Sequence, residues 1–376
     1  MSAGDNAVDI NGTAFAETGV PPSTASRADV VSVVDNGSSF FETIPPSFYA
    51  QDQAPGLLTE LRWAMPLSIT LAHSPDPDDV FMWWPLTGKI DPAGRVLSPP
   101  SIDTRGLRFV PWPVDIHDLN QHATSGSPYE VTALSVACWG TALVADRYAV
   151  TRCGGSFGKG YGPRLVVQAS SPLAHPHDLL TSNGPIAIPG HQTTAFLVLK
   201  QLLGLAPHAD LSRFVRLPFE QIIPAVARGE FLAGLVIHEG QITYAQQDLR
   251  LLVDLGQWWG ATTSLPLPLG VNAIRRDLDQ THGPGTFQLV TDLLHQSVEH
   301  AMARWDESVA YTLPFAAANA ARAGTTPPDL QQVDRYCRMY VTEETRDMGD
   351  AGEDAIRRVL STPSQLPAPI VRRSRT

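Results

Sequence analysis

"PFEQIIPAVARGEFLAGLVIHEG", Pro218–Gly240, decides the fold. Phe219, Ile222, Ile223 and Val226 recur at the three/four spacing of one helix face, and Gly229 stands where a left-handed residue stops a helix. Directly after it, "LAGLVI" is a short apolar run, the mark of a buried strand. Helix, stop and strand follow one another within this one stretch, and the strand runs into an ionisable ring, His238.

The same alternation extends in both directions. "PIAIPG" reads as a strand and "HQTTAFLVLKQLLG" as a helix, with Ala195, Val198, Leu199 and Leu202 on one face. Further upstream, "PLSITLAHS" alternates Leu67, Ile69 and Leu71 as a strand does. Asp78 is then placed to cap a helix through Phe81 and Trp84. "LRFVPWPV" and "YEVTALSV" read as strands, with "DIHDLNQHATSG" a short helix between them. "TALVADRYAV" reads as a helix ending in a turn, and the glycine-rich "GGSFGKGYGP" feeds a strand from Leu165 to Gln168. Downstream, "LLVDLGQWWG" and "TTSLPLPLGVNAIRRDL" carry the chain back. One long helix is expected through Phe287, Val290, Leu294, Val298, Ala301, Trp305 and Val309. Another starts near Pro328, with Leu330, Val333, Cys337 and Tyr340 on one face. Strands alternating with helices give an α/β fold.

Composition narrows the function. The 376 residues carry a formal net charge of -11, which opposes nucleic-acid binding. Residues 1–66 hold eight acids and two arginines, and their Ser, Pro, Asp, Gly and Ala content reads as a largely disordered extension. A short docking segment near "SSFFETIPPSFYA" is conceivable within it. Residues 361–376 read as a flexible tail. Cys138, Cys153 and Cys337 are scattered and odd in number, as in a reducing compartment. With no signal peptide and no apolar run that could span a membrane, a cytoplasmic location is expected.

In open α/β sheets, ligands sit beyond the carboxyl ends of strands. His238 stands there, where a neutral imidazole could take a proton; it could equally be a ring hydrogen-bonded within a strand-end turn. Thr193 and Thr194 begin a helix, suited to an anion or to ordinary capping. Asp76, Asp78 and Asp79 lie on one loop without the mixed ligands or second segment of a metal site, so they read as capping and a polar pocket wall. His175 and His177 read as exposed, and Trp258 and Trp259 as core or pocket wall. The glycine-rich loop matches neither GxGxxG nor GxxxxGK[ST]. The residues alone reach a small-molecule site with a candidate histidine base, and no further.

Six motifs then occur in order: "AHSPDPDDVFMWWPLTGKI", "GGSFGKGYGPRLVV", "AIPGHQTTAFLVL", "IIPAVARGEFLAGLVIHEGQITY", "LVDLGQWWG…TSLPLPLGVNAIRRDL" and "YVTEETRDMGDAGEDAIRRVL". Together they resemble the menaquinone-biosynthesis family of the futalosine pathway, over about residues 67–360. The resemblance implies a two-lobed fold like that of type II periplasmic binding proteins. Lobe one would comprise 67–163 plus 269–360 and lobe two 164–268, with a ligand cleft between them. It implies a lyase in which His238 is the general base, acting on cyclic dehypoxanthinyl futalosine, an anionic small molecule, without metal or cofactor. Ser74, Asp76, Ala133, Ser135, Thr193 and Thr194 would contact that substrate. Two departures stand out. Ala133 replaces a lysine that relatives often carry, and Lys159 or Arg164 would have to compensate. "SPDPDDVF" replaces "SPCPNDTF", so Asp76 stands at a cysteine position. A chorismate dehydratase of the same fold, or a protein that captures an aromatic carboxylate without turnover, are the competing expectations. Oligomeric state is left open.

Overall fold

The computed structural model describes residues 67–126, 128–238, 240–361 and 370–371. The expected N-terminal extension with its docking segment, and almost all of the expected C-terminal tail, lie outside the described residues.

β1 (Leu67–His73) leads into α1 (Pro77–Thr87). A ribbon of β2 (Lys89–Ile90) and β3 (Val96–Ser98) follows, then β4 (Leu107–Pro113), α2 (Ile116–Ser125) and β5 (Val131–Ser135). Two short helices, α3 (Val136–Trp139) and α4 (Ala142–Arg147), precede β6 (Tyr148–Val150) and β7 (Ser156–Gly158). The middle of the chain runs β8 (Arg164–Gln168), β9 (Ile186–Ile188), α5 (Thr194–Leu202), β10 (Phe214–Arg216), α6 (Phe219–Ala227), β11 (Ala233–Val236), α7 (Gly240–Thr243), β12 (Leu249–Asp254) and α8 (Leu255–Thr263). β13 (Leu267–Arg275) is followed by α9 (Leu278–His282), α10 (Thr286–Ala303), α11 (Trp305–Ala323), α12 (Leu330–Tyr340), α13 (Glu343–Arg346) and α14 (Gly349–Leu360).

Two mixed sheets organise these elements into two lobes. The first has the order β4-β1-β5-β13-β6, with β7 also paired to β13. β1 is parallel to β4 and β5, and β13 is antiparallel to β5. The second has the order β10-β9-β11-β8-β12, where β9 is parallel to both neighbours and β8 antiparallel to both of its own. The antiparallel strands are those the chain uses to pass between sheets: it leaves after β7 into β8 and returns from β12 through α8 into β13. The two crossings touch, since Leu255 N donates to Pro163 O at 2.9 Å. A Cβ on Gly256 would lie 1.9 Å from Tyr161 O, so this backbone approach excludes any side chain there.

Packing follows the sequence periodicity. Ala195, Val198, Leu199 and Leu202 of α5 are buried with Leu165 and Leu235. Ile222, Ile223 and Val226 of α6 cover Val166 and Val236. Gly229 follows the end of α6 at φ 75°. α1, α10 and α12 bury Phe81, Val290, Leu294 and Cys337 against Ile69 and Leu71 of β1.

Several expectations are corrected. Asp78 lies inside the first turn of α1; Pro77 takes the first helical position, so Asp76 is the N-cap. The helix after Thr141 ends in β6 rather than a turn, because Tyr148–Val150 pair with β13. The long C-terminal helix is two, α10 and α11, broken at Arg304 (φ -115°, ψ 50°). The apolar spacing survives because both halves face one core, which also holds Val309 and the partly buried Trp305. Leu330 is 47% exposed, so the buried face of α12 is Val333, Tyr336, Cys337 and Tyr340. His175 and His177 are both exposed.

Candidate functional site

A solvent-open cavity enclosing about 690 Å³ of non-atom space lies where the two lobes meet. The ends of strands supply its walls: Ser74 and Asp76 after β1, Ala133 and Ser135 at the end of β5, His238 after β11, and Leu269 to Asn272 within β13. Thr193 and Thr194 enter with the start of α5, and Tyr336 and Tyr340 with α12. All seven residues singled out from the sequence, Ser74, Asp76, Ala133, Ser135, Thr193, Thr194 and His238, therefore line one cavity.

His238 is the residue after Ile237, at φ 54°. That left-handed backbone costs a residue with a Cβ about 1–2 kcal/mol. The turn aims the ring across the cleft. Nδ1 lies 2.9 Å from Asp76 Oδ2, and the ring meets Phe219 edge-on at 4.6 Å. A carboxylate only accepts, so Nδ1 carries the proton and Nε2 the lone pair.

Asp76 is 0% exposed. Ser74 Oγ donates to its Oδ2, and Asn319 Nδ2 donates to its Oδ1 at 3.4 Å. Asp78 accepts from Ser156 Oγ at 2.9 Å and from Tyr336 OH at 3.2 Å, and Asp79 accepts from Ser74 N at 2.9 Å. Burial, and then a carboxylate neighbour, push Asp78 above the usual carboxylate range and Asp79 well above it. Burial and mutual repulsion therefore make Asp78 and Asp79 harder to ionise than free carboxyls. Among the described residues no group of His, Cys, Asp and Glu is arranged to hold a metal.

The Thr193 hydroxyl meets the capping expectation, and the Thr194 hydroxyl bridges the lobes. Thr193 Oγ1 caps α5, accepting from Phe196 N at 3.2 Å and donating to Gly190 O at 2.8 Å. Thr194 Oγ1 donates to Leu269 O at 2.7 Å and accepts from Ala137 N at 3.2 Å, tying the second lobe to the first. What α5 offers an anion is the first-turn N–H groups of Thr194 and Ala195, since Phe196 N is taken by the cap. Ser135 is paired with Asn120, whose side chain bonds its N at 3.0 Å and its Oγ at 2.9 Å.

Ala133 is buried and faces the cavity, and neither suggested replacement cation does. Lys159 pairs with Glu344 at 2.6 Å and Arg164 with Asp254 at 3.3 Å. Among the described residues lining the cavity there is no lysine or arginine. Directly opposite Ala133 in the sheet is Asn272, which sequence reasoning missed. Its Nδ2 donates to Gly154 O at 2.7 Å, while Oδ1 is buried without a hydrogen-bond partner among the described residues. An asparagine inside the apolar "GVNAI" was the available signal, since a buried polar side chain needs a reason. Gln241 was missed too; Tyr340 OH donates to its Oε1 at 2.6 Å, again between lobes.

Two lobes of mixed sheet meeting at a cavity define a binding-protein-like fold. The Candida albicans CA3427 gene product, described as exhibiting the generic periplasmic binding protein structural fold, superposes with a TM-score of 0.51 at 10% identity, covering 78% of this chain and 89% of that one. Protein AF1704 from Archaeoglobus fulgidus matches with a TM-score of 0.60 and 34% identity over 78% of this chain and 95% of its own. A Thermus thermophilus protein named 1,4-dihydroxy-6-naphtoate synthase is 34% identical over 295 residues, 78% of this chain and 93% of that protein. The family described as menaquinone biosynthesis matches residues 69–364. The chain belongs to the menaquinone biosynthesis family. Among the described residues no helix is long and apolar enough to cross a membrane.

Proposed function

We propose that this chain is a 1,4-dihydroxy-6-naphthoate synthase, a lyase that converts cyclic dehypoxanthinyl futalosine to the naphthoate, with His238 as general base. The observation that carries this is the imidazole of His238 at a strand end, lining a two-lobed cavity that also takes in the start of α5. The name borne by the Thermus thermophilus relative supports the same reading.

Nε2 of His238 removes a proton from a carbon next to a carbonyl. The C–H electron pair moves into that carbonyl, and the spiro ring then opens with loss of the sugar-derived portion. Formation of an aromatic ring drives the sequence. The substrate carboxylate meets the first-turn N–H groups of α5, in place of the lysine missing at Ala133. Ser74 and Ser135 shape the wall beside it, and Asn272 Oδ1 accepts a hydrogen bond from a substrate hydroxyl. The raised Asp78 and Asp79 lessen the wall's repulsion of an anion.

The test is mass spectrometry of purified protein incubated with cyclic dehypoxanthinyl futalosine. Wild type should yield 1,4-dihydroxy-6-naphthoate, and His238→Ala about 10²–10⁴-fold less, the usual weight of a general base. Product from both at similar rates would remove His238 from the base role. No product from wild type would sink the synthase reading, in favour of chorismate dehydration or binding alone.

A further inference from the structure

A base must show its bare nitrogen to the substrate, so the His238 reading raises the question of what fixes the ring. We infer that Asp76 is a positioning residue that holds His238 in the Nδ1–H tautomer, and that it does so across the lobes. This rests on the assignment of His238 as base.

Four observations converge. Asp76 occupies the N-cap of α1, yet its side chain makes no capping hydrogen bond. An aspartate there ordinarily caps, and capping contributes about 1 kcal/mol; here the carboxylate is turned elsewhere. It is wholly buried, and its partners are the Ser74 hydroxyl, the Asn319 amide and His238 Nδ1, with no lysine or arginine among them. A buried carboxylate without a fixed cation is costly, and that cost falls when the imidazole becomes imidazolium. The pair therefore strengthens just when the base has taken its proton. Next, the left-handed backbone of His238 is the kind of local strain that persists only where surrounding contacts over-determine it. Finally, Asp76 follows β1 of the first sheet and His238 follows β11 of the second. The contact bridges the cleft, so the base is oriented only when the lobes are together.

Other acids also act on His238. Asp78, Asp79 and Asp115 all share its electrostatic environment, and from its own lobe the uncharged Phe219 ring packs against it. The test must therefore separate contact from general field. It compares full-length wild type, Asp76→Asn and Asp115→Asn. Histidine ¹⁵N chemical shifts, with His238 assigned through His238→Ala, report the tautomer without needing turnover. Wild type should show Nδ1 protonated and Nε2 bare, and Asp76→Asn should show mixed tautomers. In the naphthoate assay Asp76→Asn should lose roughly a hundredfold in kcat, with KM changed less than threefold. The acid limb of its pH profile should move to lower pH, because the charge that favours imidazolium is gone. Asp115→Asn should leave tautomer and kcat close to wild type.

An unchanged tautomer in Asp76→Asn, or a kcat within threefold of wild type, would overturn the inference. So would an equal effect from Asp115→Asn, which would make it a field effect. Should Asp76→Asn fail to fold, Asp76→Ser carries the same comparison. If wild type makes no naphthoate, the synthase reading fails by itself, and the ¹⁵N result still decides the pairing.

Discussion

His238 sits in a backbone conformation that resists it. At φ 54° a Cβ crowds the following carbonyl, a cost of about 1–2 kcal/mol that glycine does not bear. Comparing His238→Ala with His238→Gly isolates this cost, since both lack the imidazole. The glycine variant should be the more stable by about 1 kcal/mol in urea unfolding, although both are inactive. Equal stabilities would show that the turn is not strained. The proposed base role and backbone comfort pull in opposite directions at this residue, and the sequence suggested only the first. "IHEG" placed an imidazole at a strand end, but no pattern in it announced the left-handed turn that aims the ring. Asp76 was legible as a pocket residue and not as the partner of His238, because the two are far apart in sequence and no periodicity connects them. The threonine pair was legible as a helix start; its hydroxyls turned out to be bonded to Gly190 and Leu269.

Elements were read well where burial follows period. α5 and α6 bury the very faces their spacing marks, because a helix that covers a sheet has one apolar side. The misreadings fell where periodicity is blind. The break at Arg304 preserves the apolar face on either side, so no change of spacing betrays it. The first turn of α1 was shifted because Asp78 could cap as well as Asp76, and only the preference of Pro77 for the first helical position separates them. α2 gives an element-scale prediction. Its N-cap, Asp115, accepts from His117 N at 2.7 Å, yet burial pushes its carboxyl up to about 6 from 3.8. A carboxyl whose pKa is higher folded than unfolded favours the fold when protonated. That contribution is complete below pH 3.8 and is lost as the pH climbs through about 6. Asparagine caps as well as aspartate and carries no charge. Asp115→Asn should therefore match wild type in denaturant stability near pH 3.5 and exceed it by about 1–2 kcal/mol at pH 8, allowing for the partial exposure of the site. A variant less stable than wild type at pH 8 would mean that the cap needs the charge.

At the scale of the molecule, an apolar core shared by both lobes and hydrogen bonds between them hold the lobes over the cavity. Asp76 meets His238 at 2.9 Å, Thr194 Oγ1 donates to Leu269 O at 2.7 Å, and Tyr340 OH donates to Gln241 Oε1 at 2.6 Å. Each such bond contributes a net of about 0.5–1.5 kcal/mol, because water replaces it on opening. Opening would break these bonds and expose part of the shared apolar core, and a ligand that touches both lobes shifts the balance further towards closure. The two crossing segments, pinned together at Pro163–Leu255 and by the side-chain-free approach of Gly256 to Tyr161, are the fixed point about which the lobes can turn. In the proposed reaction closure would also matter chemically, since it would exclude water from the carbanion-like species. Small-angle scattering should therefore show a smaller radius of gyration with saturating 1,4-dihydroxy-6-naphthoate than without ligand. Thr194→Val, which breaks one bridge outside the proposed proton path, should expand the ligand-free form and leave the liganded form compact. If ligand produces no compaction in wild type, the lobes form a rigid cavity, and the bridging pair of Asp76 and His238 is permanent rather than assembled on binding.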